Sequence, residues 1–365
     1  MVWRPSPRAR AAQWRLVLAT GAVAWFLGAQ AAANLALRNM GFGFRFLADR
    51  ANFDIPFHLI PWSDDNSYAR ALLVCTLNTL LVSALSIVAA TLLGLLVGVM
   101  RLSANWLVRN IALAFIEMVR NTPQLVQIIF WYVAVLQTLP PPRRSIALFG
   151  GMLLNIRGLY LPSLQLAPHG AALLTLGVLL LVAAPFAARG WGRRALLAGL
   201  AGVALCVAAI GGVQRPALHG FNITGGEQVP PELVALWAGL AIYGAAFIAE
   251  IVRAAILSVP AGQREAALSL GLHPRQVLAR VVLPQALRVM VPPLTSQYLN
   301  IIKSSSLGAA VAYPELFQIF AGTVLNQSGR ELETIAILMA IFLAISLLTS
   351  AFMNWYNGHV ALVER

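Results

Sequence analysis

Eight stretches of roughly 20 mostly apolar residues divide this 365-residue chain, near positions 16–37, 72–100, 122–139, 170–187, 195–213, 233–250, 291–312 and 334–355. About 20 such residues span the hydrocarbon core of a bilayer as a helix. Inside lipid every backbone polar group must find a partner within the protein, which leaves only helices and closed barrels. A barrel needs alternating segments of about 10 residues, and none is evident. Only 11% of the residues are charged, against about 25% in an ordinary soluble domain. The expected fold is therefore an all-α membrane protein, a polytopic bundle of about eight transmembrane helices. The first run follows Arg4, Arg8, Arg10 and Arg15. It is longer than the apolar core of a cleaved signal peptide, so it reads as a retained extra helix at 16–37, after a tail at 1–15.

The net charge of +13 does not point to nucleic acid. The arginines stand singly or in small groups at the ends of apolar runs, where topology signals and lipid headgroup contacts belong. With the N-terminus inside, the cytoplasmic segments collect Arg101, Arg109, Arg120, Arg189, Arg193, Arg194, Arg253, Arg264, Arg275, Arg280, Arg288 and Arg365 besides the four at the start. Fewer fall outside: Arg38, Arg45, Arg50, Arg70, Arg143, Arg144, Arg157, Arg215 and Arg330. This moderate bias places both termini in the cytoplasm. Cys75 and Cys206 lie in apolar runs and read as packing residues. The five histidines are isolated, without ligand spacing, so no metal site is expected.

Between the spans, 38–71 is a long outer loop in which Asp49, Asp54, Asp64 and Asp65 sit close to arginines. Residues 105–120 mix charge with apolar side chains, and either extend the third span or lie along the membrane surface. Pro140-Pro141-Pro142 cannot continue a helix. The segment 140–230 reads as an insertion carrying a pair of Ala/Leu/Gly-rich helices of the kind that pack as scaffold. A short tail, 356–365, ends the chain.

The loop at 253–284 carries the most specific pattern. Glu265-Ala266-Ala267 is followed by Gly271 and then by Val281-Val282-Leu283-Pro284. Gln263 to Gly271 reads as a short helix closed by glycine, which takes the left-handed conformation at little cost. Two alanines leave room for a partner surface. His273-Pro274 opens a second helical segment, proline being suited to a first turn, and Pro284 is expected to end or bend it. A stiff helix–turn–helix of this kind transmits a push that a floppy loop would absorb.

This spacing resembles the EAA signature of the membrane subunits of ATP-driven importers. The likeness extends to Arg120-Asn121-Thr122-Pro123-Gln124-Leu125-Val126-Gln127, Ala249-Glu250-Ile251-Val252-Arg253, Lys303-Ser304-Ser305-Ser306-Leu307 and Tyr313-Pro314-Glu315-Leu316. It covers about 50–355, and resembles the permeases of polar and general L-amino-acid ABC importers, nearest the Q-type subunit. Two departures stand out: Val281 replaces the usual isoleucine, and Ser304 to Ser306 replace an acidic-Thr-Ser run. The resemblance implies a type I importer permease core at 72–355 in a bacterial inner membrane. It implies that Gln263, Arg264, Glu265, Ala266, Ala267, Gly271 and Pro284 dock with an ABC ATPase. That ATPase would bind the ATP and Mg, leaving this chain without a cofactor and without catalysis of its own. It also implies a second, homologous permease subunit and a periplasmic amino-acid-binding protein as partners. The translocation path would be bordered by Asn121, Thr122, Pro123, Gln124, Gln127, Asn300, Lys303 and Ser304.

The residues themselves agree with that placement without deciding it. Thr122-Pro123 breaks a helix, because proline lacks a donor and its predecessor avoids the α region. Gln124 and Gln127 share a helix face and serve either as contacts between helices or as contacts to a substrate. Lys303 is the sole lysine, and stands either as a functional intramembrane charge or as a cation reaching an interface. Glu117 with Arg120, and Glu250 with Arg253, are i,i+3 pairs that serve either as a cytoplasmic gate or as fixed ties at helix ends. No Gly-x4-Gly-Lys-Ser/Thr phosphate loop occurs, so nucleotide must bind elsewhere. An ion-coupled secondary transporter is the alternative, and would show paired half-repeats. An intramembrane enzyme would need a nucleophile with a base, or metal ligands, in its spans.

Overall fold

The computed structural model describes residues 7–37, 43–187, 193–220 and 222–360. Of the basic residues used for orientation, Arg4, Arg38, Arg189 and Arg365 lie outside the described residues. Each apolar run falls on a helix. Helix α1 is Pro7–Leu37 and α2 is Tyr68–Arg101. Trp106–Arg120 forms α3, and Gln124–Ile129 forms α4, which continues as a π-helical segment over Phe130–Leu136. Next come α5 (Gly170–Ala187), α6 (Arg193–Ala208) and α7 (Pro231–Leu257). The remaining helices are α8 (Ala261–Ser269), α9 (Pro274–Val277), α10 (Leu283–Ser304), α11 (Leu325–Ser328) and α12 (Glu331–Val360). Four helical stretches of the described residues are long and apolar enough to cross a bilayer: Tyr68–Arg101, Pro231–Leu257, Pro274–Val311 and Glu331–Gly358. Three apolar ones are shorter, Gln124–Leu136, Gly170–Leu181 and Leu197–Ala208.

The centre of the bundle is the pair α2 and α7, which share the most extensive contact in the chain. Glycines let the two backbones approach. A Cβ on Gly98 would lie 2.8 Å from the Ala249 carbonyl oxygen, and one on Gly94 would lie 2.7 Å from the Ile248 side chain. Without a hydrophobic difference between lipid and side chain, such close van der Waals contact is what holds membrane helices together. Helix α3 ends at Arg120 and α4 begins at Gln124, so the two do not form one continuous span. In α3, Ala112, Ile116 and Val119 lie on one face and are buried, with Ala112 and Ile116 packed against α2 and α7, while Trp106, Leu107, Ile111 and Met118 are exposed.

A polar knot ties the loop before α2 to the chain after α10. Asn78, fully buried, donates to the carbonyls of Phe57 (2.8 Å) and Pro314 (2.9 Å). The Tyr313 hydroxyl donates to the Asn78 carbonyl at 3.2 Å. The Thr79 hydroxyl accepts from the Leu316 amide at 3.0 Å. The Glu315 carboxylate accepts from the amides of Phe317 and Gln318 at 2.8 and 2.6 Å. The Asn78 amide nitrogen, the Tyr313 and Thr79 hydroxyls and the Glu315 carboxylate thus all find partners, as burial favours, while the Asn78 side-chain oxygen has none. Within the loop itself, Arg50 pairs with Asp65.

The segment 140–230 differs most from expectation. Its helices α5 and α6 are present and pack along each other, but eight short strands flank them. These are β1 (Ile146–Ala147), β2 (Leu153–Asn155), β3 (Gly158–Leu161), β4 (Ser163–Leu166), β5 (Ile210–Gln214), β6 (Ala217–His219), β7 (Asn222–Thr224) and β8 (Glu227–Val229). Antiparallel pairing gives a four-stranded sheet in the order β1-β2-β3-β8 and two ladders, β4-β5 and β6-β7. The all-α expectation holds for the spans and misses this small cap. Strand β8 leads through Pro230 into α7, whose 27 residues cover roughly 40 Å at 1.5 Å per residue. The sheet and the loop at 261–282 therefore sit at opposite ends of the bundle.

Candidate coupling loop and translocation cleft

At the end of α7, Ser258 caps the helix and Pro260 precedes α8. Helix α8 closes in a Schellman turn. The Gly271 amide donates to the Leu268 carbonyl at 2.9 Å, and the Leu272 amide to the Ala267 carbonyl at 3.3 Å. Gly271 takes φ of +81°, the left-handed region where a Cβ is costly. The second arm starts at a capping box on His273. Its amide donates to the Gln276 side chain at 3.0 Å, and the Arg275 amide donates to its Nδ1 at 3.4 Å. Pro274 occupies the first turn.

Two features depart from the sequence reading. Pro284 does not end the second arm. It lies in the first turn of α10, and a π-helical segment, Leu278–Val282, joins α9 to α10. The path stays helical through that π turn, so the loop's second arm and the following span form one continuous helical rod. Ala267, expected to face a partner, is buried inside the knob with Val259, Val277 and Val282. Its small size serves the packing of one arm against the other. Gln263, Glu265, Ala266 and Leu270 are exposed and form the outward face, while Arg264 is half-buried.

The break at Thr122-Pro123 is held from within. Asn121 caps α3 and its side chain donates to the Glu117 carbonyl at 2.8 Å and to the Glu117 carboxylate at 3.2 Å. The Thr122 hydroxyl donates to the Met118 carbonyl at 2.8 Å. Gln127 reaches back across the break to the carbonyls of Val119 (2.8 Å) and Thr122 (3.1 Å). Gln127 thus makes a contact between α4 and the end of α3. Gln124 is half-buried beside it. Replacing Gln127 with alanine removes two caps worth about 1 kcal/mol each. Hydrogen exchange of the amides at 119–124 is expected to accelerate about tenfold or more, while that of α7 stays unchanged.

The two acidic–basic pairs behave differently. Glu250 and Arg253 form an i,i+3 ion pair, with the Arg253 Nε donating to both carboxylate oxygens at 2.9 and 3.0 Å. Glu117 and Arg120 do not pair, since the Glu117 carboxylate takes Asn121 instead. The Arg120 guanidinium carbon lies 5.0 Å from the centre of the Phe247 ring, a cation–π placement. Arg120, Phe247, Glu250, Pro293 and Gln297 line a cleft of about 430 Å³ between α7 and α10. Asn300 and Lys303 are exposed on α10, with Ser304 half-buried. Among the described residues Lys303 has no carboxylate within 4.0 Å. The structure thus brings Arg120, Glu250 and Gln297 to one cleft, and leaves Asn300 and Lys303 of α10 on an open face of the single subunit.

Comparison with known proteins decides what such a bundle is. Residues 230–361 match the family described as the binding-protein-dependent transport system inner membrane component. A putative amino-acid ABC transporter permease of Escherichia coli, YhdX, is 45% identical over 99% of this chain and 96% of its own length. The chain belongs to the amino-acid ABC transporter permeases. AapQ, the general L-amino acid transport system permease protein of Rhizobium johnstonii, is 43% identical over 96% of this permease and 91% of that protein. A crystal structure of an amino acid ABC transporter with histidines has the same fold, with a TM-score of 0.52 at 20% identity over 80% of this permease and 95% of that chain. The permease is a multi-pass transmembrane subunit of an importer, and the ion-coupled alternative loses its ground. Sequence reasoning overlooked Asn78 and Thr79, which anchor the segment after α10. A lone amide inside an apolar run was the available signal.

Proposed function

We propose that this permease subunit carries a broad range of L-amino acids from periplasm to cytoplasm by alternating access, as one half of a heterodimer in a bacterial inner membrane. The near full-length match to a general L-amino acid permease carries this reading. Both termini face the cytoplasm, in line with the excess of arginine on that side. A separate ABC ATPase binds ATP and Mg and engages Gln263, Arg264, Glu265, Ala266 and Gly271. Their rigid double-capped frame supports that role, since α9 runs without interruption into α10. Ala267 shapes the frame from inside, and Pro284 is exposed in the first turn of α10. A periplasmic amino-acid-binding protein delivers the substrate at the sheet end. Asn121, Thr122, Pro123, Gln124, Gln127, Asn300, Lys303 and Ser304 border the path between the two permease subunits. Arg120, Glu250 and Arg253 form a gate near its cytoplasmic mouth. The core at 72–355 does the transport, and 140–230 is an insertion upon it. The shift between states is driven by their differential affinity for the ATPase in its open and closed forms.

The test is reconstitution. Liposomes holding this chain with its partner permease, ATPase and receptor are expected to accumulate labelled L-amino acids only when ATP is supplied inside. The purified chain alone is expected to hydrolyse no ATP. Uptake driven by an ion gradient without ATP, or nucleotide turnover by the isolated chain, overturns the proposal.

A further inference from the structure

At the sheet end of the bundle a second cleft, of about 630 Å³, opens between the loop before α2, the tip of the β2–β3 hairpin, the β8–α7 junction and the segment at 312–314. The hairpin tip is a two-residue turn, Ile156-Arg157, between the paired residues Asn155 and Gly158. The Asn155 side chain accepts from the Arg157 amide at 2.8 Å, which fixes the turn. Arg157 donates from one guanidinium nitrogen to the Asn222 side chain at 3.0 Å. Among the described residues it has no carboxylate within 4.0 Å. Glu232, in the first turn of α7, also lines the cleft. One of its oxygens accepts from the Tyr132 hydroxyl at 3.0 Å. Thus a guanidinium and a carboxylate face the same space, are held by neutral neighbours, and do not pair with each other. Elsewhere the walls mix apolar surface, Phe57 and the prolines at 56, 230, 231 and 314, rigid where proline stands, with the polar side chains of His58, Glu227 and Gln228. Ala312 completes the wall in a left-handed conformation, φ 58°, a cost that accumulates at functional positions.

We propose that this cleft is an entry site for a free amino acid, held by its α-carboxylate on Arg157 and its α-ammonium on Glu232, with the side chain in the remainder, where apolar and polar surface stand side by side. This inference rests on the permease reading above and adds to it a location and a basis for breadth. Guanidinium to carboxylate is a charge-assisted, fork-shaped contact. A wall that offers apolar surface beside polar groups accommodates side chains of more than one kind. Tyr132 belongs to the π-helical segment after α4, so an ammonium group on Glu232 lies one hydrogen bond from the helix that follows the Thr122-Pro123 break.

The test uses the assembled transporter in lipid nanodiscs, without its receptor, and labelled L-alanine, L-glutamate and L-lysine as probes. All three are expected to bind with similar half-saturation concentrations. L-alaninamide and propionate, each lacking one charged group, are expected to compete at least about tenfold less well than L-alanine, as expected when one charge-assisted bond is lost. R157Q and E232Q are each expected to raise the half-saturation for L-alanine about tenfold, with R157K intermediate. Asn222→Ala keeps the guanidinium but loses its support, and is expected to bind within about threefold of the parent. No binding by the parent, unchanged binding in R157Q, or an equal loss in Asn222→Ala overturns the entry site. ATP-driven uptake by the complete system with its receptor is measured alongside. Uptake that persists while the cleft fails these tests leaves the permease reading standing, and absent uptake sinks that reading instead.

Discussion

Reversing the charge at Glu265 is expected to cut ATP-driven amino-acid uptake at least about tenfold, while the subunit's membrane level and thermal unfolding stay unchanged. The separation of effects follows from geometry. Glu265 is exposed on α8, and among the described residues its carboxylate has no hydrogen-bond or ion-pair partner. Glu265→Lys therefore removes nothing that holds the knob together. On the coupling proposed above its cost falls on the contact with the ATPase, where truncating or reversing one member of a desolvated charge pair costs about 2–5 kcal/mol. Gly271→Val provides the complementary case. The space around Gly271 is open, so valine clashes with nothing, but φ of +81° places a β-branched residue where left-handed geometry costs roughly 1–2 kcal/mol. The Schellman turn then loosens and the two arms lose their fixed angle. Uptake is expected to fall with ATP hydrolysis in the complex uncoupled from it. Unimpaired uptake in Glu265→Lys would remove the knob from the drive mechanism.

Gly98→Leu is expected to destabilise the subunit by about 3 kcal/mol or more, read as a lowered unfolding midpoint in detergent and reduced accumulation in the membrane. Forcing methylenes into a packed core costs about 1–3 kcal/mol when neighbours can shift. Here the first obstacle is the Ala249 carbonyl oxygen, 2.8 Å from the new Cβ, with Val252 equally close. Backbone on α7 cannot give way without moving the central helix pair. Gly98→Ala is expected to show the same sign at smaller size. Gly28→Leu serves as control, because nothing lies within 4 Å of a Cβ there and leucine is the better helix former. Equal stability of Gly98→Leu and the parent would mean that α2 and α7 do not meet as closely as described.

The knob was legible because its signals are local. A glycine four residues beyond paired alanines, and a His-Pro start, specify caps through contacts within a few residues. The fate of Ala267 was not legible, since its burial depends on Val259 and Val282 arriving from either side, and the continuation of the helical path through Pro284 depends on the π turn just before it. Arg120 shows the same limit. At i,i+3 it faces Glu117, yet the nearby Asn121 side chain takes that carboxylate and the ring of Phe247, on another helix, takes the arginine. The strands of the segment 140–230 were missed because they are two to five residues long. Strand β3 pairs with β8 across some seventy intervening positions, Leu159 with Val229, and so short a run carries no alternation of its own.

The amino-acid sequence alone determined that this chain spans a membrane as helices, and it marked the knob by its caps. Both follow from solvation and short-range backbone geometry, which each residue carries wherever it lies. Tertiary structure alone decided how closely α2 meets α7, which side of the knob is presented outward, that α9 and α10 act as one rod, and that Arg157 and Glu232 share a cleft. Those outcomes depend on surfaces brought together from distant positions, and such contacts form only when the whole bundle closes.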